Sequence, residues 1–517
     1  MEDVKVEEHK PASTKGSNEE LEHQKNVIEA SKRRGIDEEE IALFQGFMNA
    51  DADYHRKMKR KLMRKVDFHL LPLLILMYLF NFIDRNNLSQ ARLGTLEQDL
   101  GLKGTDFNLA TSILFVGYLI MQLPSNLLIT RARPSLFLGT AMTIWGIIST
   151  SQAATRNRTD LIVARFFLGF AEAPFFPGAI FLMSSWYTRA EMTHRVAWFY
   201  SGSSLANAFG GLIGAGVIGN LSGAHGIAGW RWLFIIEGSI TIGLALTSIF
   251  VLPNYPATTK WLTHEEQAYA QWRLVEDTGE ADLAGTISLK EGLKMAITDP
   301  RLWLFTLLQH VSIVSQAFQY FFPTIVKTLG YGSVETLLLT VPAWVATFLV
   351  SLLVTYTSGR FGDRSIHIMC LMVLAVAGNI IAISTLNAGA RFFAVFLLPV
   401  GAVSAYQIIV AWVANSFPRP LVKRSACISI ANLLGNAGNI YGSYLYPSSE
   451  GPRYLQGGIA TAVFAFAVAV LAFTVRMVLA RQNKKLAEKE VLDTDGRVLN
   501  LHSDNQEAGA VGFRYIL

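Results

Sequence analysis

Long apolar runs alternate with short polar connections along most of this chain. A helix needs roughly 20 mainly apolar residues to cross the hydrocarbon core of a bilayer. Twelve runs meet that length, and the longest polar stretch between them separates two sets of six, which predicts an all-α membrane protein with twelve transmembrane helices in two six-helix bundles. Numbered as spans 1 to 12, the runs are 68–88, 107–129, 135–153, 160–184, 196–219, 230–252, 302–324, 335–357, 366–386, 391–413, 425–446 and 457–479.

The polar segments complete the predicted domain plan. Within the central one, Thr263 and Glu266 have the spacing of a capping box, which predicts a short surface helix. We expect a largely disordered cytoplasmic tail over 1–66, a first bundle over 67–252, a cytoplasmic loop over 253–300, a second bundle over 301–480 and a cytoplasmic tail over 481–517.

Composition agrees with a membrane location. The chain has 517 residues, of which 51% are hydrophobic and only 16% charged, and its mean hydropathy is +0.32. A soluble domain carries about 25% charged residues. The net charge of +5 comes from Lys and Arg beside the spans rather than from a nucleic-acid-binding face. We therefore expect the lipid bilayer as surroundings, no nucleic acid, no metal and no cofactor, and a monomer.

Basic residues beside the spans predict the orientation, because Lys and Arg accumulate on the cytoplasmic side. They include the segment "HRKMKRKLMRK" at 55–65 and clusters in the loops after spans 2, 4, 8, 10 and 12, so both termini should be cytoplasmic. The sequons at Asn157 and Asn220 fall in the loops after spans 3 and 5, on the side where glycans are added. The loop residues are Arg131, Arg133, Arg189, Arg195, Arg360, Arg364, Arg419, Lys423, Arg424, Arg481, Lys484 and Lys485.

Span 1 ends in "YLFNFIDRNNL", an unusual place for charge. An ionisable residue at the centre of a span costs roughly 2.5–3.5 kcal/mol on insertion scales, so such residues are commonly functional. Tyr78, Asn81 and Arg85 lie at i, i+3 and i+7, on one helical face. The alternative is that Asp84 and Arg85 only end the helix at the outer headgroups.

Span 4 contains a second charged pair. In "VARFFLGFAEAPFFPG", Arg165 and Glu172 lie seven residues apart, on one helix face. Glu172 has apolar neighbours on both sides, which disfavours its charged form. A carboxyl group that is neutral or charged according to its access to water is a candidate proton carrier. The alternative is a permanent ion pair that holds two helices together.

Polar residues in three later spans are candidates to line a central cavity. Span 7 contributes His310, Gln316 and Tyr320, although a lone His is more often a packed residue with its hydrogen bonds satisfied. In span 11, Asn432 and Asn436 lie one turn apart on a face that either lets helices approach closely or lines water. Span 10 adds Tyr406 and Gln407, and the two tyrosines favour a substrate with a ring.

The loop "SGRFGDRS" between spans 8 and 9 resembles the G-x-x-x-D-R/K signature of the major facilitator superfamily. The resemblance makes Asp363 and Arg364 gate residues, whereas a solvated loop is the alternative. Further segments resemble the fungal anion:cation symporter branch, which includes permeases for allantoate, nicotinate and pantothenate. They are "IDRNNLSQA", "SILFVGYLIMQLPSNLL", "ARFFLGFAEAPFFPGAIFLMSSWY", "GWRWLFIIEG", "FFPTIVKTLGY" and "GFRYIL".

This resemblance implies a division of roles. Arg85 would bind the anion, with Arg165 and the polar residues above in the same site, and Glu172 would carry the proton together with Asp84. The span 7 arginine of related animal transporters falls at His310 here, and their span 2 histidine at Thr111, which puts the inherited proton route in doubt.

The predicted function is proton-coupled uptake of a small organic carboxylate across the plasma membrane. A nutrient sensor that binds the same solute, or an exporter of a metabolite anion with the same fold, remains an alternative. A membrane-embedded enzyme would need a metal cluster or an activated nucleophile, and no H-x-x-x-H or G-x-S-x-G motif occurs in or beside a span.

Overall fold

The computed structural model describes residues 38–129, 132–279, 288–417, 421–488, 491–492, 498–499 and 514–517. These residues are mainly α-helical, which confirms the predicted fold class, and the two short strands Val491–Leu492 and Val498–Leu499 pair antiparallel. Eight of the described helices are long and apolar enough, by length and composition alone, to cross a membrane. Arg131 and Arg419, used above to predict orientation, lie outside the described residues.

Nine predicted spans are each a single helix. Span 1 is much longer than its apolar run, since its helix begins sixteen residues before position 68. The helices are Ala52–Ala91 for span 1, Asp106–Ile129 for span 2, Pro134–Ser151 for span 3, Arg189–Leu221 for span 5, Gly229–Val251 for span 6, Ser333–Phe361 for span 8, Ser365–Ser384 for span 9, Ala388–Ser416 for span 10 and Leu455–Glu488 for span 12.

Spans 4, 7 and 11 are interrupted near their middles. In span 4 the break contains Pro174, whose ring removes one backbone donor and clashes with the preceding turn. The segments are Arg158–Glu172 and Phe175–Ser184 in span 4, Pro300–Ser315, the 3₁₀ turn Ala317–Phe321 and Phe322–Lys327 in span 7, and Leu421–Asn436 and Gly438–Gly442 in span 11.

Short helices occupy several of the connections. His264–Gly279 begins with the predicted capping box, since Thr263 N donates to Glu266 Oε2 (3.1 Å) and Glu266 N donates to Thr263 Oγ1 (3.3 Å). The other helices outside the spans are Glu38–Met48, Leu96–Asp99 and Leu289–Ile297, with 3₁₀ turns at Gln152–Ala154, Ala224–Gly226, Pro256–Thr258 and Ser448–Glu450.

The tail over 1–66, predicted to be largely disordered, is helical over 38–48 and 52–66, and residues 1–37 lie outside the described residues. The reason is tertiary contact. Phe47 and His55 pack against Trp272 of the helix His264–Gly279, which we call the central helix. Their ring centroids lie 5.9 and 5.1 Å from that of Trp272. This burial stabilises a segment whose polar composition, read alone, predicted no fixed structure.

The two sets of six spans meet mainly along two helix pairs, span 5 with span 8 and span 2 with span 11. We call the end of the bundle where span 1 begins the terminal end, and the opposite end the far end. At the far end, Asn108 Nδ2 donates to the carbonyl of Ser443 (2.6 Å), and Ser333 Oγ donates to the carbonyl of Leu93 (2.7 Å). These bonds close the far end between the two halves.

Acidic residues fasten the terminal end of the first half. The buried carboxylate of Glu266 forms salt bridges with Lys61 Nζ (3.0 Å) and Lys65 Nζ (2.7 Å). Glu191 of span 5 forms salt bridges with Lys59 Nζ (3.1 Å) and with Arg273 of the central helix. The helix His264–Gly279 is therefore bound to spans 1 and 5.

Spans 2 and 4 approach so closely at Gly169 that a side chain does not fit. A Cβ atom there would lie 1.9 Å from the carbonyl oxygen of Leu114. We expect Gly169→Ala to destabilise the protein by about 1–3 kcal/mol, because the two backbones must separate. Thermal unfolding in detergent measures the effect. Gly243→Ala in span 6 is the matched control, since no atom lies within 4 Å of its added Cβ; equal melting temperatures of the two variants would contradict the prediction.

The Glu266 cluster makes stability depend on pH. Burial raises the pKa of Glu266, but hydrogen bonds from Lys65, the Thr263 amide and Lys61 outweigh burial and lower it to about 2, from an ordinary 4.5. A lowered folded-state pKa stabilises the protein above the unfolded-state pKa, and this contribution is lost as pH falls towards the folded value.

We therefore expect Glu266→Gln to melt at a lower temperature than the unsubstituted protein near neutral pH. The difference in melting temperature between the variant and the unsubstituted protein should become smaller as the pH falls from 4.5 to about 2. Melting curves at a series of pH values test this, and a gap that stays constant as the pH falls would contradict the assigned ion pairs.

Candidate functional site

A cavity lies at the middle of the bundle, between the two halves. Its volume is about 910 Å³, including the space open to solvent. Spans 1, 2, 4 and 5 line it from the first half, and spans 7, 10 and 11 from the second. The lining residues are Tyr78, Asn81, Phe82, Arg85, Tyr118, Glu172, Phe176, Tyr200, Ser203, Ile313, Gln316, Gln319, Tyr320, Val403, Tyr406, Gln407, Asn432, Asn436 and Asn439.

The charged centre of the cavity is an ion pair between spans 1 and 4. Arg85 donates from both Nε (3.0 Å) and Nη2 (2.8 Å) to the same oxygen of Glu172, Oε2. The Arg85 side chain is 12% exposed and that of Glu172 is 0% exposed. The other carboxylate oxygen, Oε1, accepts no hydrogen bond from any residue that the structure describes. The ion pair thus engages one carboxylate oxygen and leaves the other, buried one without a hydrogen-bond partner among these residues.

Aromatic rings surround the guanidinium group of Arg85. Its Cζ lies 5.4 Å from the ring centre of Phe82, 5.7 Å from that of Phe115 and 5.3 Å from that of Tyr118. Rings at these distances attract a cation through their negative faces, more strongly when water is excluded. They attract the guanidinium without neutralising it, so Glu172 is the group that balances its charge.

The second half presents amides and phenols to the cavity. Gln319 Nε2 donates to Gln316 Oε1 (2.9 Å), and Tyr320 OH donates to Asn439 Oδ1 (3.2 Å). Asn436 Nδ2 donates to the carbonyl of Asn432 (2.9 Å). These side chains bond one another within and between spans 7 and 11, so the second half offers an ordered set of neutral donors and acceptors.

Most of the predicted substrate residues lie in this cavity: Tyr78, Asn81, Arg85, Gln316, Tyr320, Tyr406, Gln407, Asn432 and Asn436, together with the predicted proton carrier Glu172. The structure adds Tyr118, Tyr200 and Gln319. Sequence reasoning missed Tyr118 and Tyr200 because a single tyrosine in an apolar run gives no signal by itself.

Three predicted site residues point elsewhere. Asp84 is buried in the core of the first half, where it accepts hydrogen bonds from Ser149 Oγ (2.8 Å), Thr241 Oγ1 (2.7 Å) and Trp145 Nε1 (3.2 Å). It faces away from the cavity because adjacent helical residues differ by about 100° in direction. The alternative in which Asp84 ends the helix at the outer headgroups is also wrong, since the helix continues to Ala91.

Arg165 and His310 are held by backbone carbonyls instead of lining the cavity. Arg165 donates from Nη2 to the carbonyl of Arg85 (3.1 Å) and braces spans 1 and 4 from behind the ion pair. His310 Nδ1 lies 2.7 Å from the carbonyl of Leu434, and its Nε2 lies 2.6 Å from the hydroxyl of Tyr441. His310 thus joins span 7 to span 11, as the packed-residue alternative expected.

The predicted gate residues lie at the terminal end of the second half. Asp363 pairs with Arg476 of span 12 and accepts from the amide of Ile366 (2.9 Å) at the start of span 9. Burial raises the pKa of Asp363, but its bond to Arg476 outweighs burial and lowers it. Arg364 is only 4% exposed, so the solvated-loop alternative is wrong for this residue.

The segment Arg514–Leu517 docks beside this loop. The carbonyl oxygen of Leu517 accepts from the amides of Arg364 and Ser365, and that of Ile516 accepts from Trp412 Nε1 (2.8 Å). Tyr515 OH accepts from Arg301 Nη1 (2.7 Å). Four residues therefore connect spans 7, 9 and 10 at the terminal end.

The sequon residues are both exposed at the far end. Asn157 Oδ1 accepts from the amide of Asp160 (2.9 Å) and caps the helix of span 4. Asn220 Nδ2 donates to the carbonyl of Gly216 (2.8 Å) near the end of span 5. In the part of the chain that the structure describes, no three His, Cys, Asp or Glu side chains are placed to hold a metal ion.

Comparison with known proteins identifies the class. The family model of the Major Facilitator Superfamily matches residues 74–443, and the chain belongs to that superfamily. It is 33% identical to the MFS-type transporter cnsO of Penicillium expansum over 93% of this chain and 95% of the relative. It is also 33% identical to the major facilitator-type transporter hxnP of Emericella nidulans, over 78% of this chain and 82% of the relative.

Solved structures share the fold. A bacterial homologue of the human lysosomal transporter Spinster, in an inward-facing and unoccupied conformation, matches with a TM-score of 0.61 at 16% identity, over 78% of this chain and 96% of that one. The protein is a multi-pass membrane protein and a secondary transporter, not an enzyme. It works by alternating access, in which a central site opens to one side of the membrane at a time.

Proposed function

We propose that this transporter couples the uptake of a small organic carboxylate to the movement of protons, as in the anion:cation symporter branch of the superfamily. The observation that carries the proposal is the buried pair of Arg85 and Glu172 in the cavity wall. The chemistry of this pair links the binding of an anion to the binding of a proton.

The link follows from charge balance in a site largely shielded from water. Removing one partner of a buried ion pair leaves an uncompensated charge, at a cost of about 3–5 kcal/mol. A proton on Glu172 removes the partner of Arg85, and the guanidinium then favours an anion. A carboxylate on Arg85 in turn competes with Glu172 and favours protonation of the displaced glutamate. Because coupling free energies are reciprocal, each ligand increases the affinity for the other.

A carboxylate suits this cavity better than an inorganic cation or a neutral solute. A guanidinium group binds a carboxylate through two parallel hydrogen bonds. Beyond Arg85, the walls offer phenols and amides from Tyr118, Tyr320, Tyr406 and Gln316, which favours a planar or ring-bearing substrate with further polar groups. Nicotinate-, pantothenate- and allantoate-like anions have these features.

The proposed direction rests on topology. If the basic residues of 55–65 mark the cytoplasm, the termini are cytoplasmic and the far end faces outward. The far-end bonds of Asn108 and Ser333 then close the outer side. Protons and substrate would bind when the outer side opens and leave to the cytoplasm when it closes. We place the protein in the plasma membrane, where an inward proton gradient favours uptake.

Asp84 has no part in this cycle as proposed. Three hydroxyl or indole donors hold its carboxylate away from the cavity, so it anchors span 1 to spans 3 and 6. Arg165 likewise supports the ion pair through the backbone of Arg85. Proton coupling is therefore assigned to Glu172 alone.

Replacement of Glu172 by Gln tests the coupling. The amide keeps the size of the side chain but takes up no proton, so we expect accumulation against a concentration gradient to be lost. Exchange of labelled substrate across the membrane at equal pH should persist. Uptake of a panel of carboxylate nutrients by cells or vesicles, measured with and without a pH gradient, distinguishes accumulation from exchange. Glu335→Gln, at an exposed acid outside the cavity, is the control. Undiminished proton-driven accumulation by Glu172→Gln would refute the proposal.

The orientation has a separate test. With the far end outside, Asn157 and Asn220 reach the glycosylation machinery, and a glycosidase should increase the gel mobility of the protein expressed in a fungal host. Asn157→Gln and Asn220→Gln should each remove part of that shift. Protease applied to intact cells should leave an epitope at either terminus uncleaved, and cleavage there would reverse the assigned topology.

A further inference from the structure

The extension of span 1 at the terminal end carries its basic side chains on two different faces. The lysines face acids: Lys57 pairs with Asp53 (2.8 Å), and Lys61 and Lys65 pair with Glu266. Three arginines between them, Arg56, Arg60 and Arg64, are exposed. Their side chains make no ion pair or hydrogen bond with any described residue. Lys61 and Lys65 thus point towards the helix His264–Gly279, whereas the three arginines point away from the protein.

The three arginines belong to one continuous surface ridge. Side chains four residues apart are neighbours along a helix, about 6 Å apart in rise. The same row continues through Phe68, Pro72 and Leu76, which are all exposed. Phe68 is 76% exposed and Leu76 45% exposed. Within the membrane these apolar side chains face the acyl chains. Each four-residue step turns about 40° around the helix, so the ridge winds around span 1, and Arg64 is the arginine whose direction is nearest to that of lipid-facing Phe68.

The position of the ridge puts the arginines at the membrane surface. The headgroup layer on each side of a bilayer is about 5–8 Å thick, from a total of about 40–45 Å around a 30 Å core. Arg64 lies about 6 Å and Arg60 about 12 Å beyond Phe68 along the helix axis. Arg64 therefore lies within the headgroups, and the long side chain of Arg60 reaches them from the aqueous side. Arg56 lies about 18 Å beyond Phe68, in the water next to the headgroups, and adds its charge over roughly a Debye length of about 8–10 Å.

We propose that Arg56, Arg60 and Arg64 form a binding site for acidic phospholipid headgroups on the terminal-end leaflet. A guanidinium group matches phosphate and carboxylate groups through paired hydrogen bonds, and basic residues close to a membrane surface attract anionic lipids. The absence of acidic partners among the described residues leaves all three charges for this role. A soluble acidic protein would have to displace the lipid next to Phe68 to reach Arg64, so lipid is the occupant that fits.

Such lipid would act on the transport helix directly. The ridge and Arg85 belong to the same unbroken helix, Ala52–Ala91, while the lysines on the other face bind the central helix through Glu266. Bound lipid would thus hold one face of the span 1 extension at the membrane surface and the central helix would hold the other. This proposal rests on the ridge geometry, and its test does not depend on the identity of the transported solute.

The test uses the purified full-length protein in detergent, with phosphatidylserine or phosphatidylcholine added. Retained lipid is counted by native mass spectrometry, and the shift in melting temperature is measured in parallel. We expect the protein to retain phosphatidylserine in preference to phosphatidylcholine. It should also melt at a higher temperature with phosphatidylserine than with phosphatidylcholine. Changing all three residues to Gln should weaken this preference about a hundredfold, since each surface charge contributes roughly fivefold.

Two matched variants complete the design. R56K/R60K/R64K keeps the charge and should keep most of the preference, which separates a lost site from a misfolded protein. K103Q/R156Q/R453Q removes three exposed charges at the far end and should leave the preference intact. Inorganic phosphate should not reproduce the thermal shift, because the ligand is a headgroup whose acyl chains lie against the apolar part of the ridge. An unchanged preference in the Arg→Gln variant, or an equal loss in the far-end variant, would overturn the proposal.

Discussion

A buried positive charge and a buried negative charge, each largely shielded from water, constrain this molecule more than any other feature. Arg85 donates two hydrogen bonds of 2.8–3.0 Å to one oxygen of Glu172. Neither charge is stable inside the bundle unless an opposite charge balances it. Aromatic rings hold the guanidinium from the sides, and the carbonyl of Arg85 is itself braced by Arg165. The surroundings fix the pair in place, and the second oxygen of Glu172 has no hydrogen-bond partner among the described residues.

The helix interruptions follow from the same requirement. Span 4 breaks directly after Glu172, at Pro174, and spans 7 and 11 break where their amides meet the cavity. Non-helical backbone at membrane depth is tolerated only where it is buried in protein or lines water. The breaks therefore mark the cavity independently of its side chains.

Each half is stabilised at the terminal end by its own salt bridges. In the first half, Glu266 and Glu191 bind the central helix to spans 1 and 5. In the second, Asp299 bonds Arg301 (2.6 Å) and Lys423 (2.8 Å), and Tyr515 docks onto Arg301. These contacts lie within halves or between a half and its neighbouring loop, so they stabilise each bundle as a body. Alternating access needs this rigidity, because a soft bundle would not transmit motion from the site to the gates.

The sequence determined the spans, their division into two sets of six and the candidate charged residues, because the length of an apolar run and the presence of charge within it are local properties. It also indicated the helix at Thr263 and the face shared by Tyr78, Asn81 and Arg85. Only the tertiary structure decided which groups meet. Asp84 and Arg85 are adjacent in the chain yet face opposite environments, and Arg165 and His310 satisfy backbone carbonyls rather than the cavity. The direction of a side chain depends on helix rotation and on neighbours from distant spans, and neither is encoded in the residues of one span.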